Sequence, residues 1–370
     1  MANRNRVIYQ SKAVYAGPDK SSANAWEAET GLNDPIQLKR VQSANYGFDI
    51  ARTDVNQFGE LAAIDRVILE SPTVNFDTSW YLCNFYNEDK IGLRVNTNKA
   101  IGALSGVLAD ILENYAGERN YYVRVVKDGS DAINIAAGTT DNAVIGIGNG
   151  FLSSWGCEAS VGGFPTANVT VEGLNIAFTS NTTGYSPYVD AAAGTKNATD
   201  QFSLTGASTD GESSSTLKVV KPGNISLTLP SDQGGAKIAD IKIQSFNCSV
   251  DLSREPLQKL GSRFAFAREI TFPINATLSV DALAGDLKTG NLADIVDNNL
   301  DQQIIVHMND NAGSAHMAIV MKKAKLDSQS FSQGIGDNET VSLNWSAQVG
   351  SASQTDVGLF LSGDATDGVA

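Results

Sequence analysis

The chain has little of what an active site usually needs. Its 370 residues include two histidines, His307 and His316, and three cysteines. Cys83, Cys157 and Cys248 lie far apart. An odd count with no CxxC spacing argues against a disulfide framework or a zinc site, and small buried apolar residues are expected instead. The histidines stand nine residues apart in "HMNDNAGSAH", which fits no zinc spacing, so strand ends are expected there. No run of about 18 apolar residues occurs, so no membrane helix is expected. "MANRNRVIYQSK" has no apolar h-region, and no secretory signal is expected from it. Cations are short too: Lys plus Arg number 27 against 41 Asp plus Glu, a net charge of −14. Grip on nucleic acid comes from Lys and Arg neutralising phosphates, so a nucleic-acid-binding protein is disfavoured. The same balance suits a surface that DNA passes without sticking, or simply a soluble one.

Short motifs add no chemistry. "GIGNG" at Gly146 lacks both the GxGxxG spacing and a following helix. "NDNAG" at Asn309 lacks the ordered acids and closing Glu of a calcium loop and reads as a turn. The Asn-x-Ser/Thr triplets at Asn181, Asn197, Asn224 and Asn344 read as β-rich composition. No catalytic, cofactor-binding or metal residues are assigned, and the chain is not expected to be an enzyme.

What is present is a repeat. "VQSANYGFDIARTDVNQFG" from Val41 is echoed by "IQSFNCSVDLSREPLQKLG" from Ile243. At an offset of 202 residues, Gln42, Ser43, Asn45, Asp49, Arg52, Gly59, Arg66 and Ile68 meet identical residues, with no gap. "LADIL" at Leu108 answers "LADIV" at Leu292, and "NVTV" at Asn168 answers "NETV" at Asn338. The offset falls along the chain, so the first copy carries the longer loops. The division expected is an N-terminal arm over 1–35, copy one over 36–178, a Gly/Ser/Thr-rich linker or small insert over 179–237, copy two over 238–350 and a tail over 351–370.

Each copy is expected to be mainly β with one helix. Period-two alternation puts Val74, Phe76 and Trp80 on one side of a strand and Asn75, Asp77 and Ser79 on the other. At offset 202, Ile274, Ala276, Leu278, Val280 and Ala282 oppose Asn275, Thr277, Ser279 and Asp281. Tyr46, Phe48 and Ile50 oppose Asn45, Gly47 and Asp49, as Cys248, Val250 and Leu252 oppose Asn247, Ser249 and Asp251. The parity survives where residues differ, and a one-residue slip would swap the faces. The polar faces of these strands carry no Lys or Arg. Val107, Leu108, Ile111 and Leu112 predict a helix with Ser105 as cap and Gly117 as stop; Leu292, Ile295 and Val296 predict its counterpart. Between the two strands of each copy runs a loop too long for a hairpin turn, and such a loop usually has a job.

A duplicated β-unit with a long inter-strand loop, one helix and a polar face without cations resembles the tail tube proteins of long-tailed bacteriophages. The residues that carry the likeness are "VQSANYGFDIARTDVNQFGELAAIDRVILESPTVNFDTSWYL" and its echo, with "R-x-D-x-x-Q-x-G" in the loop. Copy two departs from that motif at "REPLQKLG". The resemblance implies a mainly β fold, a barrel or sandwich of α+β type with two tandem tube domains. It implies six domains closing a ring, hence a trimer of two-domain chains with pseudo-sixfold symmetry. Rings stack into a tube through which the genome passes into the host. The partners it implies are further copies of the chain and the tape measure, tail terminator, baseplate or distal tail and sheath proteins, with no membrane and no cofactor. The location implied is the virion, after synthesis in the host cytoplasm. Lumen-lining residues would be Asn45, Asp49, Asn75, Asp77, Ser79, Asn247, Ser249, Asp251, Thr277, Ser279 and Asp281; the alternative is that these faces meet outside solvent. Inter-ring loop residues would be Arg52, Asp54, Asn56, Gln57, Gly59, Arg66, Arg254, Glu255, Gln258, Gly261 and Arg268. Phe48, Phe76, Phe272 and Leu278 are expected to pack under the helix. The competing class is a β-rich glycan-binding adhesin or tail decoration protein.

Overall fold

The structure is a computed structural model. It describes residues 7–8, 11–18, 35–97, 104–113, 117–127, 131–133, 142–190, 194–204, 219–229, 237–239, 242–283, 286–288, 301–310, 313, 315–334, 338–351 and 353–363. The chain is mainly β. Its principal strands are β1 (Lys12–Pro18), β2 (Val41–Asp49), β3 (Thr73–Tyr81), β4 (Glu118–Val126), β5 (Asn142–Ser160), β6 (Thr166–Gly173), β7 (Lys242–Asp251), β8 (Asn275–Leu283), β9 (Gln302–Asn309), β10 (Ala315–Ser332), β11 (Thr340–Gln348) and β12 (Gly358–Ser362).

Within the first part the order of neighbours is β2–β3–β6–β5; within the second it is β7–β8–β11–β10. These are the same order, first strand to long strand. The likeness extends to irregularities. β5 skips Ser153 where it passes from Thr170 to Val171 of β6, and β10 skips Asp327 opposite the matching point of β11. A bulge bends its strand and adds twist. Both long strands also bend out of this layer. The first half of β5 pairs with β4 and with Asn175–Thr179, and the first half of β10 pairs with β9 and with β12.

The core lies between these two layers. Phe76, Trp155 and Val250 from one side and Tyr121, Ile147 and Val306 from the other belong to a single buried cluster that runs through both parts. The rings of Phe76 and Tyr121 are 5.5 Å apart. Thr78, the polar interruption on the apolar side of β3, is buried and donates to the Ser43 carbonyl at 2.9 Å.

Several segments drawn as arm, linker and tail lend strands to this sheet. β1 pairs with β4, Ile225–Thr228 pairs with β9, and β12 pairs with β10. Part of the linker packs on the first part: Phe202 and Leu204 are buried with Tyr15, Tyr122 and Val144. Two glycines of "GIGNG", Gly146 and Gly148, serve that packing. A Cβ on Gly148 would overlap the Pro187 carbonyl, so only glycine lets the linker backbone lie on β5 there.

The expected helix at Ser105–Gly117 is shorter than its periodicity suggested. Helix α1 spans Tyr86–Lys90 and α2 spans Ala109–Glu113. Residues Ser105–Leu108 are drawn into non-helical bonds instead: Asn96 Nδ2 donates to the Ser105 carbonyl at 3.0 Å, and the Val107 amide donates to the Leu359 carbonyl at 3.0 Å. Val107, Leu108 and Ile111 are buried as the apolar stripe requires. The counterpart around Leu292 lies outside the described residues.

Candidate functional site

Eight strands run side by side from β2 through β3, β6, β5, β7, β8 and β11 to β10. The inner strands alternate, so one face is buried and the other polar, while the edge strands β2 and β10 leave their apolar side partly open. Asn45, Asp49, Asn75, Asp77, Asn247, Asp251, Thr277 and Asp281 are exposed on the polar face, and Ser79, Ser249 and Ser279 are half-buried there. Register ties them into rows across the sheet. Asn45 stands opposite Asp77, Asp77 opposite Thr170, Thr170 opposite Ser154, and Ser154 opposite Asp251. A second row runs Glu158, Asn247, Ser279, Asn344, Ser328.

Hydroxyls hold the carboxylates of this face. Thr170 donates to Asp77 at 2.8 Å, while Ser245 and Ser342 donate to the two oxygens of Asp281 at 3.0 and 2.6 Å. Ser43 and Ser79 bond at 2.6 Å, and Ser249 and Thr277 at 2.9 Å. Neutral donors satisfy these carboxylates without adding a counter-charge, so the face is acidic as well as polar. One cation shares the register row of Ser346: Lys325, whose amine is paired with Asp301 at 2.5 Å. Several residues of the face were not singled out from sequence, among them Ser154, Glu158, Thr170, Glu172, Ser342 and Asn344. The strands β5 and β10 run on through "NGFLSSWGCEAS" and "KAKLDSQSFS". The second half of β5 is rich in Ser and Gly and that of β10 in Ser, and both show a weak alternation.

The two edges of this run differ from its middle. Inside the chain β7 pairs with β5, placing Cys248 opposite Cys157, Val250 opposite Trp155 and Asp251 opposite Ser154. That seam buries Cys248, Val250 and Leu252 to 0%, 2% and 0% exposure. The matching residues of β2 are at the edge: Phe48 is 55% and Ile50 37% exposed. Sequence parity is the same in both strands; what differs is the neighbour. Phe48 is therefore not packed under a helix, and neither is Phe272, which is exposed in the loop before β8, whereas Phe76 and Leu278 are buried as expected. All three cysteines are buried, and none is in a disulfide.

The two loops differ in the same way. Each forms a two-stranded ribbon, Thr53–Val55 with Asp65–Val67 and Arg254–Leu257 with Ala267–Ile270. Gly59 and Gly261 take the same left-handed turn, at φ 94° and 85°, which explains why glycine recurs there. In the first loop Arg52, Asp54, Asn56, Gln57, Gly59 and Arg66 are all exposed, and Arg66 pairs with Asp54 at 2.6 Å. Its tip holds Phe58 and Leu61 wholly in solvent. In the second loop Glu255, Gln258 and Gly261 are exposed, as is Leu260. Two of its three arginines, Arg254 and Arg268, fold back on the first part, while Arg263 is exposed. Arg254 lies over the Phe151 ring at 4.7 Å and donates to the Leu152 carbonyl at 3.4 Å, and buried Arg268 pairs with Glu172 at 3.5 Å. Burial, then the charge of Arg268, lowers the Arg254 pKa to about 10, so it stays charged at neutral pH. Arg254 and Arg268 thus fasten the second loop to the first part of the chain.

Among the described residues no group of three or more His, Cys, Asp or Glu side chains is placed to hold a metal ion, and no helix is long and apolar enough to cross a membrane.

No family model matches the chain, and no curated protein does. Solved structures similar to it include two from tail-like assemblies. One is the tail of an empty GTA particle, refined helically with C6 symmetry, at a TM-score of 0.25 and 12% identity over 35% of this chain and 95% of that one. The other is the baseplate of the anti-feeding prophage, six-fold symmetrised, at a TM-score of 0.28 and 7% identity over 48% of this chain and 97% of that one.

Proposed function

We propose that the protein is a structural virion protein whose copies close edge to edge into rings, and that stacked rings form a tail tube for DNA. The two parts of the chain are read as two tube domains, and three chains make one pseudo-hexameric ring. The observation that carries this reading is the seam. The chain mates β7 to β5, and leaves β2 and the second half of β10, the same two kinds of edge, at the ends of its run of strands. Among the described residues each of those edges pairs on one side only. Open edges with exposed aromatics invite pairing with another chain, and closure removes them.

The polar face supports the passage of DNA. Asp49, Asp77, Glu158, Asp251 and Asp281 repel phosphate, and the neighbouring Ser, Thr and Asn offer no counter-charge. A glycan-binding adhesin would need aromatic side chains for stacking on this face. Phe76, Trp80, Trp155 and Trp345 point instead into the core, where all four are buried. Negative-stain microscopy of the purified protein tests the reading. Rings or short tubes with a central hole are expected; a compact monomer at every concentration contradicts it.

A further inference from the structure

We infer that the seam between neighbouring chains repeats the register of the seam inside one chain, so that Tyr46 faces Phe331 and Gly47 faces Ser330 of a second copy. This rests on the ring reading above and adds which residues meet.

The register follows from two alignments. The first is the offset of 202 residues that matches β2 to β7, so Tyr46 takes the place of Cys248 and Gly47 that of Ser249. The second matches the long strands. Thr170 pairs with Asp77 and Asn344 pairs with Ser279, and Asp77 matches Ser279 at the same offset. Thr170 therefore corresponds to Asn344, so the pairing moves the match of "NVTV" with "NETV" read from sequence by four residues. Their partners on the long strands are Ser154 and Ser328. Counting on, Gly156 corresponds to Ser330 and Cys157 to Phe331. The shared bulge, at Ser153 and Asp327, confirms the count independently.

Inside the chain Cys248 faces Cys157 and Ser249 faces Gly156. Carried over, Tyr46 faces Phe331, Gly47 faces Ser330, Phe48 faces Gln329 and Asp49 faces Ser328. The chemistry of these pairs is sound. Phe48 and Phe331, both exposed in the single chain, come to lie on the apolar side of the seam. Asp49 and Ser328 lie on the polar side, as Asp251 and Ser154 do. The loop ribbon follows: Arg66 takes the place of Arg268. Tyr121 and Ile304 pair with the matched residues Ile147 and Met321, so Glu118 corresponds to Asp301. Glu118 is one of the carboxylates acting on Arg268, which brings Arg66 toward Asp301 of the second copy.

Paired cysteines test the register. Opposed residues of an antiparallel ladder alternate between a wider and a closer pair, and the closer one suits a disulfide. Two adjacent pairs therefore cover both cases: Gly47→Cys with Ser330→Cys, and Tyr46→Cys with Phe331→Cys. The first pair is mild, since a Cβ on Gly47 meets nothing within 4 Å and Ser330 is exposed. Assembled protein is oxidised and run without reductant. At least one pair is expected to shift the band from one chain to three, while each single variant stays at one. Gly47→Cys with Ser328→Cys, out of register by two residues, is expected to stay at one chain. Rings that form while neither in-register pair cross-links, or while the shifted pair cross-links instead, overturn the register and leave the ring reading standing. A wild-type chain that stays monomeric overturns both.

Discussion

Glu88 illustrates how a single residue ties this fold to pH. It lies in helix α1, buried, with the Trp80 indole donating to its carboxylate at 2.8 Å. Burial, only partly offset by that bond, pushes its pKa up to about 7 from 4.5. The folded state therefore holds a proton that the unfolded chain releases. The stabilisation is complete below pH of about 4.5 and is lost as pH rises through about 7. Glu88→Gln keeps the acceptor without the charge. Chemical denaturation at pH 5 and pH 8 should find the variant's pH dependence flatter, by on the order of 3 kcal/mol at most. An unchanged difference between the two pH values would mean that Glu88 is not held protonated.

At the scale of elements, the two loops make one sequence pattern do two things. Arg52 and Arg254 are matched in the repeat, yet Arg52 is exposed while Arg254 is packed against Phe151 and Leu152. Arg254→Ala should lower the stability of the single chain by about 2 kcal/mol, since it removes a packed cation and strands the groups around it. Arg52→Ala should change it by less than about 0.5 kcal/mol, as exposed positions do. Equal losses in thermal or denaturant unfolding would show that the two loops are equally anchored.

The strands whose alternation was strong were legible in the sequence. The parity of Val74–Trp80 and of Ile274–Ala282 gave both the buried face and the polar one, because period two is a direct consequence of the pleat. The second halves of β5 and β10 were not legible, since residues such as Ser153, Ser154 and Gly156 carry little contrast between faces. Nor was the exposure of Phe48, whose parity matches that of buried Val250. Parity says which way a side chain points; only the order of strands says whether anything stands beside it. For the same reason, the roles of Arg254 and Arg268 could not be told from those of Arg52 and Arg66.

For the whole molecule, the proposed passage of DNA makes the charge of the acidic face testable. Asp49→Lys with Asp251→Lys would put six lysines round each proposed ring of three chains. Asp251 stays exposed on the polar side even where its strand is joined to β5, and Asp49 would do the same in the proposed seam, so assembly should persist. Phosphate contacts would then hold DNA in a salt-dependent way, and delivery should fall. Assembled particles that deliver DNA undiminished would mean a different face lines the channel.

If open edges like those joined inside the chain join between chains, closed rings must form. The most direct measurement is the mass of the smallest closed assembly of the purified wild-type protein, by native mass spectrometry or sedimentation. The account predicts a ring of three chains, with longer species as whole multiples of it. A chain that remains a monomer, or closes as a dimer, would contradict it.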